Sequence, residues 1–193
     1  MTLTDPPGTP DRSGHGRWQL AGFTGAGYDK GRSPLWQVAW LVVSGGLLTR
    51  WWCPADLRVR VLRLFGAQIG SNVLVRHRVR IHWPWKLAVG DNSWIGEGSW
   101  ILNLEPVTIG SDVCISQEAL ICSGSHDRRS PTFEFDNAPV VIEDGVWVAL
   151  RATVLRGCVI GHDSVIGADA LVTASVPPHS LVLAPRASAS RSA

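Results

Sequence analysis

The stretch SGSHDRRSPTFEFDNAP, from Ser123 to Pro139, sets residues able to move protons beside one another. His126 is followed by Asp127, Arg128 and Arg129, with an aromatic pair at Phe133 and Phe135. An imidazole titrates near neutral pH, so His126 can accept a proton from a hydroxyl or an amine. A loop histidine is also an ordinary exposed residue, and its role depends on what positions it. His77 and His82 border an arginine-rich region, His162 fills a variable repeat position, and His179 follows Pro177–Pro178. The cysteines at 53, 114, 122 and 158 show no ligand spacing and no disulfide framework, and read as small buried residues. No metal site is implied.

The element that must position His126 is a repeat. From Ile142 onward an aliphatic residue returns every six positions, at Ile142, Val148, Val154, Ile160, Ile166 and Val172. On an α-helix, residues six apart do not share a face. Six residues do make a short strand plus a turn, and three such units make one triangular coil of a parallel β-solenoid with the aliphatic residue inward. The same register runs backward through Ile121, Ile115 and Ile109, then Ile101, Ile95 and Val89, then Ile81, Val75 and Ile69. Two-residue slips at Leu87–Ala88 and Val107–Thr108 read as longer corners, and about five coils result. The inward residues are apolar, so chemistry has to come from the long interruption at 123–139, which is longer than ordinary connections.

Four regions follow: a mobile arm over 1–33, a helical cap over 34–66, the solenoid over 67–180 and a tail over 181–193. In the cap, LWQVAWLVVSGGLL is uncharged but too short to span a bilayer, which takes about 20 residues. It either lies in a membrane interface, with Trp36, Trp40, Trp51 and Trp52 at headgroup level, or packs on protein. Residues 54–66 read as an amphipathic helix with Leu57, Val61, Leu64 and Phe65 on its apolar face, ending at Gly66. Arg50 to Lys86 carries seven Arg and one Lys against Asp56 alone, while Leu87 to Gly145 carries ten acids against two Arg. The arginines are either a solvated face or a surface for an anionic lipid or pyrophosphate. A net charge of +2 gives no pull toward nucleic acid. The N-terminus lacks a signal-peptide pattern, so a cytoplasmic location is expected, at the inner face of the membrane if the cap touches lipid.

Three stretches carry a family resemblance: IGSDVCISQ, then SHD, then PVVIEDGVWVALRATVLRGCVIGHDSVIGADALVT. Together they resemble the hexapeptide-repeat O-acetyltransferases, a left-handed β-helix group that includes maltose and galactoside acetyltransferases. With RLFGAQIG, IHWPWKL and WIGEGSWILNL, the chain over about 35–185 is most similar to acetyltransferases of colanic-acid and exopolysaccharide biosynthesis. The resemblance implies an all-β fold, a left-handed hand to the coil, acetyl-CoA as co-substrate and a homotrimer with active sites between subunits. The acceptor it implies is a sugar or a lipid-linked glycan. His126 matches the family's catalytic base. Trp147, Ala168 and Thr173 match positions along the CoA groove. Asn103 falls where maltose and galactoside transferases carry an Asp that contacts the acceptor, and Asp127 is a second acceptor-side candidate. Two positions depart from the family: Ala174 replaces a basic residue, and Ala184–Pro185–Arg186–Ala187 replaces Gly-Asn-Pro-Ala, which leaves Arg186 as the candidate for the CoA phosphates. Other readings are a non-catalytic trimeric scaffold and an N-acetyltransferase for an amino-sugar or small amine.

Overall fold

The structure, a computed structural model, describes residues 18–185. Sixteen short strands form three parallel sheets. The first sheet stacks Gln68–Ile69, Leu87–Val89, Val107–Ile109, Val140–Ile142 and Val159–Ile160. The second stacks Leu74–Val75, Trp94–Ile95, Cys114–Ile115, Trp147–Val148, Val165–Ile166 and Leu181–Val182. The third stacks Arg80–Ile81, Trp100–Leu102, Leu120–Cys122, Thr153–Val154 and Leu171–Val172. The chain visits them in rotation, so the molecule is a three-sided prism, the expected left-handed parallel β-helix. It has about six turns rather than five. The extra strand, Leu181–Val182, pairs with Val165–Ile166, so the solenoid continues one strand beyond the expected boundary at 180.

Register follows directly from the period of six. Ile95, Ile115, Val148 and Ile166 lie in one ladder and each is fully buried. Burying each such side chain contributes about 1.5–3 kcal/mol. Corners repeat as faithfully: Asn72, Asn92, Asp112 and Asp163 all take φ between 54° and 57° at the turn from the first sheet to the second. Short polar residues tolerate that left-handed conformation by bonding locally. Acids at this edge are structural, since Asp91 accepts from the Ser71 N–H and Asp144 from the Ser111 N–H of the preceding coil. At Gly110 a Cβ would lie 2.7 Å from the Asp144 nitrogen, so only glycine lets adjacent coils approach there.

The two slips insert residues just before the positions expected. Leu87–Val89 and Val107–Ile109 are strands, and the added length forms the corners Trp83–Lys86 and Asn103–Pro106. Cys158 is buried inward as expected, but Cys114 lies half-buried on the outer face of the second sheet. All four cysteines are free.

The cap consists of α1 (Pro34–Val43), a π-helical turn (Ser44–Leu48) and α2 (Ala55–Leu64). Trp40 anchors α1, 1% exposed, with Nε1 donating to the carbonyls of Ile81 and His82. The opposite face, Leu35, Val38, Leu41 and Val42, is bare. Both halves of the sequence alternative therefore have a physical counterpart: one face packs on the solenoid and the other has no cover. The apolar stripe expected on α2 is displaced. Leu57 and Leu64 are exposed, and the buried face is Arg58, Val59 and Leu62, with Phe65 behind it. Arg58 is the reason: its guanidinium satisfies the carbonyls of Leu48, Val75 and Arg50, so a cation occupies the inner face. Among the described residues no helix is long and apolar enough to cross a membrane.

Candidate active site

The interruption leaves the prism after Cys122, at the edge where the third sheet turns to the first, and returns at Val140. It doubles back on itself through an antiparallel bridge between His126 and Phe135 and a bond from the Asp127 N–H to the Glu134 carbonyl. Phe133, at φ 58° just after a turn, and Phe135 both reach the imidazole. Phe133 stacks on it at 4.4 Å between centroids and Phe135 at 5.1 Å. His126 Nδ1 lies 2.8 Å from the Phe133 carbonyl oxygen. A carbonyl can only accept, so Nδ1 carries the proton and Nε2 presents its lone pair. The imidazole is thus fixed in ring plane and in tautomer, which is what a general base requires.

Beside it is a groove of about 550 Å³ lined by Ser125, His126, Asp127, Arg128, Arg129 and by Asp136 paired to Arg156. Arg156 comes from the next coil at the same edge. It was not foreseen as a site residue, and the Arg156–Asp136 pair ties the loop's return limb to the solenoid.

Residues 18–33 fall within the arm expected to be mobile, yet they lie along this loop and strap it. Trp18 Nε1 donates to the Arg128 carbonyl and the Gln19 N–H to that of Pro131. The N–H groups of Thr24 and Gly25 converge on the two oxygens of Glu134, each at 3.0 Å. The bond from the Thr24 N–H, helped by Thr132, the Thr24 hydroxyl and the Gly25 N–H, holds the Glu134 carboxyl below its ordinary pKa. Phe23 and Tyr28 pack edge-on against Phe135. Tyr28 accepts from Trp83 Nε1, and Lys86 donates to the carbonyls of Asp29 and Leu104. No period marks these contacts in sequence. The only signal was the density of aromatic residues at both ends.

The other expected site residues are dispersed. Asn103 is fully buried at this edge, its Oδ1 accepting from the Trp83 N–H and its Nδ2 donating to the Trp83 carbonyl. Its amide thereby joins two coils, and within this chain it is not exposed to an acceptor. Asp127 lines the groove, with Oδ1 accepting from the Arg129 N–H in a tight turn. Trp147 stands half-exposed on the second sheet, its Nε1 donating to Ser116 Oγ at 2.9 Å. Ala168 is exposed at the neighbouring corner, between the second and third sheets, and Thr173 is exposed at the His126 edge two coils further on. Arg186 lies outside the described residues. In a three-sided prism the edge joining the third and first sheets is opposite the second sheet. One chain therefore places His126 and Trp147 on opposite sides.

Coil stacking also brings together His162, Asp163 and His179, whose ligand atoms lie within 4.8 Å of one another at the edge between the first and second sheets. Sequence spacing hid this group, because its histidines belong to successive coils.

No protein-family model matches the chain. Among curated proteins, WcaF of Escherichia coli strain K12, whose name assigns it to acetyl transfer in colanic acid biosynthesis, is 37% identical over 161 residues. That alignment covers 82% of this chain and 87% of WcaF. The chain is a hexapeptide-repeat acetyltransferase. The galactoside O-acetyltransferase of the same organism is 26% identical to this acetyltransferase over 127 residues, 64% of this chain and 63% of that protein. Among solved structures, a hexapeptide-repeat acetyltransferase from Vibrio cholerae, VCA0836, in complex with acetyl coenzyme A, superposes with a TM-score of 0.65 at 25% identity. The superposition covers 75% of this chain and 79% of that one.

Proposed function

We propose that this acetyltransferase moves an acetyl group from acetyl-CoA to a hydroxyl of a sugar or glycan precursor, with His126 as general base. The observation that carries the reading is the bond between His126 Nδ1 and the Phe133 carbonyl, which leaves Nε2 as the acceptor in a polar groove. In the reaction the acceptor oxygen attacks the thioester carbonyl carbon as its proton passes to Nε2. The C–S bond then breaks, and the departing CoA thiolate takes the proton from the imidazolium. Arg128 and Arg129, exposed at the groove, give it positive charge that favours an anionic transition state.

Trp147 and Ala168 are the residues offered to the CoA arm, the indole as a flat exposed surface and the alanine as a corner that permits close approach. Since they lie opposite His126, a complete site needs a second chain, and a threefold assembly of prisms supplies it in every groove. Acetyl-CoA as the donor and the lack of a disulfide framework favour a cytoplasmic setting for this reaction.

Purified protein supplied with acetyl-CoA and hydroxylated saccharides is expected to release CoA thiol, and His126→Ala to lower the rate by about 10²–10⁴-fold. An acetyl ester on the product is removed by mild alkali, whereas an amide resists it, so the same assay separates oxygen from nitrogen acceptors. Mixing His126→Ala with Trp147→Ala protein, each inactive alone, restores activity if the site is shared between subunits. Wild-type protein that releases no thiol above background, or a His126→Ala variant as fast as wild type, would overturn the reading.

A further inference from the structure

Away from His126, the junction between the cap and the first coil carries two adjoining spaces of opposite character. One is an apolar cavity of about 240 Å³ lined by Trp40, Leu48, Leu62, Val75, Val79 and Ile81. It exceeds the cavity of about 150 Å³ that admits benzene in an engineered protein core. Arg58 forms part of its wall, but the guanidinium is already spent on three backbone carbonyls. The other space is an open polar groove of about 610 Å³ lined by Thr49, Arg50, Arg78, Arg80, Gly98 and Glu118. Thr49 and Arg80 belong to both linings, so the cavity and the groove adjoin.

The groove keeps a positive balance. Arg78 is exposed and only loosely paired with Glu97, at 3.4 Å, and Glu97 also meets His77. Arg80 lies over the Trp100 ring at 4.2 Å from its centroid, an arrangement that leaves guanidinium N–H groups for a ligand. Arg50 is exposed at the mouth. Three guanidinium groups against one lining carboxylate, that of Glu118, suit a phosphate or pyrophosphate, which arginine binds through paired N–H donors. The same cap exposes Trp51, Trp52 and the outer face of α1, surfaces that sit naturally at a headgroup layer.

We propose that this junction is a binding site for a long-chain phosphate or pyrophosphate ester held in a membrane, its phosphate on Arg50, Arg78 and Arg80 and the first carbons of its chain in the cavity under Trp40. The ligand is an amphiphile because neither half of the site explains the other. A soluble phosphate leaves the cavity without a role, and a bare hydrocarbon leaves the arginines without one.

The test uses the full chain and phosphatidylcholine vesicles doped with a long-chain prenyl phosphate, compared with vesicles of equal charge made with phosphatidylglycerol and with inorganic pyrophosphate in solution. Saturable binding that prefers the prenyl phosphate is expected, weakened about tenfold or more by Arg78→Ser or Arg80→Ser. Gly45→Leu narrows the cavity at a lining position where an added Cβ meets no atom within 4 Å, and Ser44→Leu does so next to it. Both are expected to weaken prenyl phosphate binding while thiol release with a soluble saccharide stays unchanged. Equal binding to phosphatidylglycerol that ignores Gly45→Leu and Ser44→Leu would reduce the junction to surface charge and overturn the proposal. So would pyrophosphate binding as tight as that of the prenyl phosphate, or no binding to any probe. Because the readout is binding, it stands or falls apart from the His126 chemistry.

Discussion

At the scale of single residues, one buried and one half-buried polar group define what the helix tolerates. Asn103 bonds both the N–H and the carbonyl of Trp83 across adjacent coils. Asn103→Ala leaves the Trp83 N–H unpaired out of water, at about 1–3 kcal/mol, while the Trp83 carbonyl keeps the Lys86 N–H. We expect a clear drop in melting temperature with the Michaelis constant for the acceptor unchanged, measured by thermal unfolding and steady-state kinetics. A change in that constant alone would return Asn103 to the acceptor site. His82 lies half-buried beside Trp83, and burial first, then the charges of Lys30 and Lys86, hold its pKa below the ordinary 6.5. A base with a depressed pKa takes up its proton more readily when unfolded, so folding stability falls as pH drops below about 6.5. Unfolding by urea at pH 7.5 and 5.5 is expected to show a loss at the lower pH that His82→Gln diminishes.

Among the elements, the strap and the loop form a pair that neither builds alone. The Glu134 carboxylate caps the turn at Thr24 and Gly25, and Phe23 and Tyr28 close over Phe135. Glu134→Gln removes the charge that makes those bonds strong. Limited proteolysis near Thr24 should then quicken, while far-ultraviolet circular dichroism of the solenoid stays the same. Acid acts in the same direction: the carboxylate's contribution is complete above its ordinary pKa of 4.5 and is lost as pH falls through the lowered one. The solenoid was legible because Ile95, Ile115 and their counterparts recur at a spacing that only one architecture satisfies. The strap was not, since pairing between residues 18–33 and 126–135 follows no period and depends on one tertiary encounter. The buried face of α2 was misread because charge usually marks solvent, and Arg58 finds its partners in carbonyls 8, 10 and 17 residues away.

For the molecule as a whole, a stack of coils is held mainly by contacts between neighbours, so its body is locally wired. The residues around the His126 loop are not. Coil stacking aligns Trp83, Asn103, the His126 loop, Arg156 and Thr173 along one edge, and sequence shows each at a distance from the others. Trp147 stands across the prism, which is why the family resemblance could name both sides of the site while no reading of spacing could join them.

The strap has one more consequence, for how the enzyme fails. Its bonds to the loop close over about 110 residues of sequence, far longer than the coil-to-coil contacts of about 20. Such closures are late to form and, resting on few buried groups, early to open. On gentle heating the strap is therefore expected to leave the loop, and with it the support around His126, while the prism still stands. Catalytic rate should vanish several degrees before the cooperative melt and return fully on cooling, so that temperature works as a reversible brake on acetyl transfer, seen by alternating assays with circular dichroism on one sample.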